Sequence, residues 1–393
     1  MSRPLNVLMI LHMPWTANLG GPRVQLELAE EFRRLGHTVD KFDINDAFPH
    51  RNHLSSFFHQ ALFHQRASRF VRENGAKYDV IDAHQGNLPF SKSHLRFRNL
   101  LCTRSAGLVH FHARSVREAA HIDAAYRKRK GSLGGNSLRW IARSMHSPIR
   151  QAEKSFAASD LIILHNEDER DYVAHTLGYH EKSVHLPAGL TERRFVEFSA
   201  CAAAPLRRIS DQQIVFIGRW STLKGSRDWP KIISRVRAQV PGARFLFLGT
   251  GCSSTDVLAD LGRPACDWIT VVPHFTSEEL PELVSRATVG AFPSYTEGFG
   301  IAVLEKLAAG LPTVAYDIPG PREMLRHFDT PLMVPLGDVD QFSDRLVWLL
   351  RLDEATYTDL SQHCVRVAHL FSWHRIATEL LHIYEQALER CGR

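Results

Sequence analysis

The sequence predicts an α/β protein of two domains, each a parallel sheet with helices on both faces. Three observations point there. Runs such as Val7–Leu11 and Thr288–Pro293 are almost unbroken in apolar residues, which suits strands buried on both faces of a parallel sheet. From Ile214 onward, short apolar runs alternate with helical patterns, and that alternation is how such a sheet is built. At 393 residues, 44% of them hydrophobic, the chain has the length and apolar material for two cores.

Taken in order, the strand Val7–Leu11 leads to Gly20-Gly21-Pro22. Val24, Leu28, Phe32 and Leu35 follow at helical spacing, and Gly36-His37 closes the helix before another strand. The domain boundary is expected near 200–212, where Cys201-Ala-Ala-Ala-Pro205, Arg207, Arg208 and Asp211 break the apolar rhythm. Beyond it come strands at Ile214–Ile217, Arg244–Leu248 and Ile269–Val272, a loop at Gly249-Thr-Gly251, and a helix over Ser277–Arg286. Thr288–Pro293 is the next strand, a helix starts near Gly300, and Thr313–Ala315 begins another strand. No internal repeat or long low-complexity segment interrupts the chain.

The segment Pro293-Ser-Tyr-Thr-Glu297-Gly298-Phe299-Gly300-Ile301-Ala-Val-Leu-Glu305 carries the most chemistry. A helix N-terminus offers free backbone N–H groups and partial positive charge, so Gly298, Phe299, Gly300 and Ile301 make a seat for a phosphate. Glu297 and Glu305 flank that seat. A carboxylate beside a phosphate is unfavourable unless neutral hydroxyls bond to it, so a sugar is the expected neighbour.

The Glu297-x7-Glu305 spacing resembles the signature of retaining nucleotide-sugar glycosyltransferases of the family 4, or group 1, type. Phe216-Ile-Gly218-Arg219-Trp-Ser-Thr-Leu-Lys224-Gly225 is similar to that family's Gly-Arg-x4-Lys-Gly element, in which the Arg and Lys grip the donor diphosphate. The resemblance reaches the amino-terminal Gly20-Gly21 turn, and Phe371-Ser-Trp373 with helical Ile376–Leu388 resembles the family's last helix. It implies a GT-B fold: two Rossmann-like domains facing a central cleft, the first (1–205) for the acceptor, completed by 373–393, and the second (206–372) for the donor. It also implies roles. Arg219 and Lys224 would stabilise the leaving diphosphate, a place where fixed cations act on developing charge. Glu297 would contact the sugar, Glu305 would accept from ribose hydroxyls, Gly218 belongs to the diphosphate element, and Gly20 and Gly21 would close over the donor. The expected substrate is a UDP- or GDP-type sugar with no further cofactor, and the acceptor a sugar or a lipid-linked molecule, as in bacterial cell-surface polysaccharide or glycolipid synthesis. The family usually carries His-Gly where this chain has Ala106-Gly107, so His84, His110 or His112 is left to supply an imidazole. Two alternatives remain open, a non-catalytic sugar-nucleotide-binding protein and another GT-B enzyme such as an epimerase or phosphorylase.

Other features narrow the function. Asp338-Val-Asp340 mimics a metal-binding Asp-x-Asp, but it follows Pro335-Leu-Gly337 and opens a helical run, so capping is expected and no metal. Six scattered cysteines form no Cys-x-x-Cys pair, which points to a reducing cytoplasm without a zinc site. No run of 18 apolar residues and no basic-then-apolar leader occurs, so neither a membrane span nor a secretory signal is expected. The net charge is +6, and 92–152 holds thirteen Lys or Arg against Glu118 and Asp123. Much of that charge lies in Arg127, Lys128, Arg129 and Lys130 and a following loop at 131–137, where anionic lipid at the inner face of a membrane would be attracted. The bland alternative is a solvated basic loop. Nucleic acid is not expected, since aromatics are not interleaved with the cations.

Overall fold

The computed structural model describes residues 3–49, 56–129, 141 and 144–391, with the backbone alone at 56–61 and 124–129. It contains two six-stranded parallel sheets. The first is made of β1 (Asn6–Leu11), β2 (Thr38–Asp43), β3 (Val80–His84), β4 (Leu100–Arg104), β5 (Leu161–Leu164) and β6 (Ser183–His185), in the order β2-β1-β3-β4-β5-β6. The second is made of β7 (Gln213–Ile217), β8 (Arg244–Leu248), β9 (Ile269–Val272), β10 (Val289–Phe292), β11 (Thr313–Tyr316) and β12 (Met333–Val334), in the order β12-β11-β10-β7-β8-β9. The winding direction reverses between β1 and β3 in one sheet and between β7 and β10 in the other. In open α/β sheets, ligands bind outside the carboxyl ends of the strands at such reversals.

The chain divides into two compact units. One runs to Phe111, resumes before β5, continues to Thr191, and ends with the helix Trp373–Cys391; the other takes the helix Val109–Arg129 from His112 on, together with Glu192–Ser372.

In the first unit Leu8, Ile10, Ile81 and Leu101 pack with Phe63 and Val71 in a fully buried cluster. The helix Trp373–Cys391 is held by polar anchors as well as apolar packing. Trp373 Nε1 donates to Glu27 at 2.8 Å, and the Tyr384 hydroxyl donates to Asp82 at 2.6 Å. Asp82, on β3, also accepts from the buried Arg104 of β4 at 2.5 Å. In the second unit Trp229 is fully buried and meets Phe247 edge-on at 4.8 Å between ring centres.

Two local expectations are corrected. Pro205–Asp211 is a helix that packs within the second unit: Arg208 is buried and donates to the carbonyls of Ser285 (2.9 Å) and Ala309 (2.8 Å). Arg207, Arg208 and Asp211 break the apolar rhythm, which is why a boundary is expected there, yet they belong to this helix. The helix expected over Ser277–Arg286 is a 3-10 turn, Ser277–Glu279, followed by a short helix, Leu280–Val284, with Pro281 in its first turn. Arg127, Lys128 and Arg129 lie in the helix Val109–Arg129, while Lys130 and 131–137 lie outside the described residues.

Candidate functional site

The carboxyl ends of β7 and β10 are neighbours, and the conspicuous motifs of the second unit meet there. β7 runs into Gly218-Arg219, with Arg219 exposed, and a 3-10 turn, Thr222–Lys224, ends at Gly225 with φ 80°. A Cβ on Gly225 would lie 2.9 Å from the carbonyl carbon of Pro293, so glycine alone lets these two loops approach. The Tyr295 amide donates to the Leu223 carbonyl at 2.9 Å, sewing the loops together. In consequence the Lys224 ammonium forms an ion pair with Glu297, residues 73 positions apart in sequence. Gly225→Ala is expected to cost about 1–3 kcal/mol of stability from overpacking at a left-handed position. Thermal unfolding checks this, and an unchanged midpoint would mean the loops do not need the contact.

Asp228 anchors the same segment. It is buried and accepts from the hydroxyls of Tyr316 (2.7 Å) and Tyr295 (3.0 Å). Burial raises its pKa, and the two phenolic hydroxyls pull the other way. Tyr295 is two residues before Glu297, so this cluster fixes where the carboxylate emerges. On the far side of the β7 turn, Asp123 accepts from Thr222 Oγ1 (3.2 Å) and from Arg227 (2.9 Å), while Arg227 also grips Asp260 at 2.6 Å.

The helix Ile301–Ala308 starts after Gly300, whose φ of 89° turns the chain into it. Glu305 is buried one turn in and accepts from Arg194 Nη2 at 3.1 Å. Arg194 is fixed in turn by the Ser277 carbonyl (2.8 Å) and Glu197 (3.0 Å). A carboxylate so oriented retains capacity to accept from hydroxyls. Asp338 caps the helix Val339–Leu350, accepting from the Gln341 amide at 2.9 Å, and Asp340 pairs with Lys231 at 2.7 Å.

In the first unit His84 ends β3, with its ring 5.1 Å from that of His12, just beyond β1. Burial, then the neighbouring His12, pushes the His84 pKa down to about 3, so its ring is neutral at physiological pH. His110 is paired with Glu153 at 3.2 Å. Ala106 lies in the loop after β4, where the buried Glu169 accepts from the Leu108 amide at 2.8 Å and Gln85 donates to the Gly107 carbonyl at 2.6 Å. Gly20 and Gly21 open the helix Gly20–Arg34.

Residues 211–352 match the family described as glycosyl transferases group 1. That match lies within the second unit, Glu192–Ser372. A D-inositol 3-phosphate glycosyltransferase of Mycobacterium avium (strain 104) is 34% identical over 196 residues, covering 48% of this chain and 45% of the relative. The match thus spans about half the length of the curated relative. Over the whole chain, sucrose-phosphate synthase from Thermosynechococcus elongatus superposes with a TM-score of 0.71 at 18% identity, covering 97% of this chain and 98% of that one. Anabaena HepE, solved with UDP and glucose, superposes at 0.66 with 13% identity, covering 97% and 100%. The fold is GT-B.

The group 1 domain therefore contains both sequence motifs, one at the end of β7 and one between β10 and the helix after it. Arg194, Asp228 and Tyr316 were missed by sequence reasoning. Their partners lie 111, 67 and 88 positions away, and no local pattern marks them. Tyr295, two residues before Glu297, carried the nearest sequence signal, an aromatic hydroxyl beside the motif.

Proposed function

We propose that the chain is a retaining glycosyltransferase that moves a hexose from a UDP- or GDP-type sugar to a hydroxyl of a sugar or lipid-linked acceptor, without a metal. The observation that carries this reading is the joining of Lys224 and Glu297 at the reversal of the second sheet, beside the N-terminus of the helix Ile301–Ala308. Lys224 and the exposed Arg219 supply the cations a departing diphosphate needs. The backbone of Gly298–Ile301 adds N–H donors. Glu305, held by Arg194, takes the ribose hydroxyls, and Glu297 lies toward the sugar. The first unit holds the acceptor, with His84 at the end of β3 as a contact. The inositol phosphate glycosyltransferase name of the relative and the UDP and glucose of the HepE structure support a nucleotide-sugar donor.

The test is nucleotide release from UDP- and GDP-hexoses, with and without a panel of sugar and lipid-linked acceptors, in excess EDTA. Acceptor-dependent release with the product anomer unchanged by NMR is the expected result. Release that stops on chelation and returns with manganese overturns metal independence, and an inverted anomer overturns retention. Ala106, where the family usually has histidine, favours a second reading, a protein that binds the nucleotide sugar without turning it over; binding with no release under any acceptor would establish it.

The reading places the protein in the cytoplasm, on the inner face of a membrane, working in cell-surface polysaccharide or glycolipid synthesis. Arg127, Lys128, Arg129 and Lys130 are proposed to meet anionic headgroups there, each contributing about 1 kcal/mol. Replacing all four by Gln is expected to abolish salt-sensitive binding to acidic liposomes and leave nucleotide affinity unchanged; equal liposome binding by both proteins refutes the contact.

A further inference from the structure

Lys306 follows Glu305 on the helix Ile301–Ala308, and no role assigned above uses it. Its side chain is fully buried. Nζ donates to the Ala291 carbonyl at 3.0 Å and lies 4.9 Å from the centre of the Phe292 ring. Ala291 and Phe292 are the last residues of β10, immediately before the segment that ends in Glu297. The stem has room because position 290 is glycine: a Cβ there would come within 2.8 Å of Lys306 Cδ. A long cationic side chain has thus been built into the floor of the candidate donor site, fastening the helix to the strand whose exit carries Glu297.

Lys306 meets charge from two directions and an uncharged neighbour from a third. Glu305, on its own helix, is paired with Arg194 of the helix Glu192–Cys201. Glu297, on the loop after β10, is paired with Lys224 of the turn after β7. From β11 the neighbour is Thr313, uncharged, whose hydroxyl donates to the Leu311 carbonyl at 2.9 Å. Burial lowers the lysine's pKa to about 7, with Glu305 and then Glu297 opposing the fall. Desolvation disfavours the charged form, and nearby negative charge restores it.

We propose that Lys306 is a positioning residue of the donor site that takes up a proton when a nucleoside diphosphate binds, so that the site is locked in place as it is filled. The inference rests on the reading of this region as a diphosphate site. An arriving diphosphate adds negative charge and competes with Glu297 for Lys224, leaving Glu297 less neutralised. Both changes favour the ammonium of Lys306, which then holds the Ala291 carbonyl more strongly. The sign follows. Below the pKa of the free protein Lys306 is already charged and binding takes up no proton there. Above it, binding brings a proton, and affinity falls as pH rises until the pKa of the complex is passed.

The experiment is calorimetric titration of the full chain with UDP, and separately GDP, at pH values from 6 to 8.5, in two buffers of different ionisation enthalpy. The nucleotide's own phosphate, with a pKa of about 6, contributes equally to parent and variant. The parent is expected to take up roughly three quarters of a proton near pH 7.5 and to lose affinity by up to about tenfold per pH unit above pH 7, the limit for one linked proton. Lys306→Met, which keeps the volume of the stem, is expected to bind with no such uptake and with affinity constant within about twofold over that range. Lys306→Gln replaces it should the Met variant not fold by circular dichroism, and the proton count of the parent is decisive without either. Equal proton uptake by parent and variant, or none by the parent, overturns the inference and leaves the donor site standing. Absence of binding by the parent to both UDP and GDP overturns the donor site and the inference with it.

Discussion

Lys224→Ala is expected to lower nucleotide-sugar turnover by about 10²-fold or more, and Arg219→Ala to do the same, with melting close to the parent. The two cations differ in their surroundings. Arg219 is exposed, so its loss leaves the core untouched. Lys224 is partly exposed and paired with Glu297, and removing it leaves a carboxylate that water still reaches, with a small effect on folding. The effect on chemistry is large because charge develops on the diphosphate oxygens in the transition state, where each fixed cation acts most strongly. Glu297→Gln separates two roles for the pair. If Glu297 serves only to hold Lys224, the Gln variant retains most of the turnover; if it contacts the sugar, turnover falls as well. Near-normal kcat/KM in both cation variants would remove the diphosphate role from this loop.

Asp82→Asn is expected to have the largest effect on stability, about 3–5 kcal/mol, because it leaves Arg104 as a buried charge without its counter-ion. Asp82 has no exposed side-chain surface, and Arg104 beside it is 1% exposed. The same carboxylate accepts from Tyr384, so the substitution also loosens the helix Trp373–Cys391. Tyr384→Phe removes only that hydrogen bond and should cost about 1 kcal/mol. Urea unfolding followed by a probe in the first unit distinguishes the two, since that unit alone should weaken. If the two variants prove equally stable, the ion pair contributes no more than the hydroxyl.

The parts of this protein legible from sequence are those whose physics is local. Val7–Leu11 and Ile214–Ile217 had to be strands because an apolar run of that length, ended by polar or glycine residues, has few other places to go. The turn proposed to bind the diphosphate was legible because Gly225 and the helix start at Gly300 are backbone requirements written in single residues. What stayed hidden depends on side chains meeting across long separations. Arg208 looks like a surface charge in sequence, yet it closes carbonyls from two distant segments. Arg194 is likewise one of two adjacent arginines, and only the fold shows which of them reaches Glu305. Lys306 reads as the polar position of an amphipathic helix and is instead buried, because Gly290 on the adjoining strand leaves space that sequence spacing cannot reveal.

The helix Trp373–Cys391 belongs to the first unit although all of Glu192–Ser372 is synthesised before it. A nascent chain therefore exposes the surface of the first unit against which Trp373, Ile376, Leu380 and Tyr384 will be buried, for as long as the ribosome takes to make the second unit. During that interval Arg104 and Asp82 lack the hydroxyl of Tyr384, and the apolar residues around them are open to a chaperone or to another nascent chain. The second unit has its sheet and core complete before that helix emerges. The order in which the two units mature is thus the reverse of the order in which they begin.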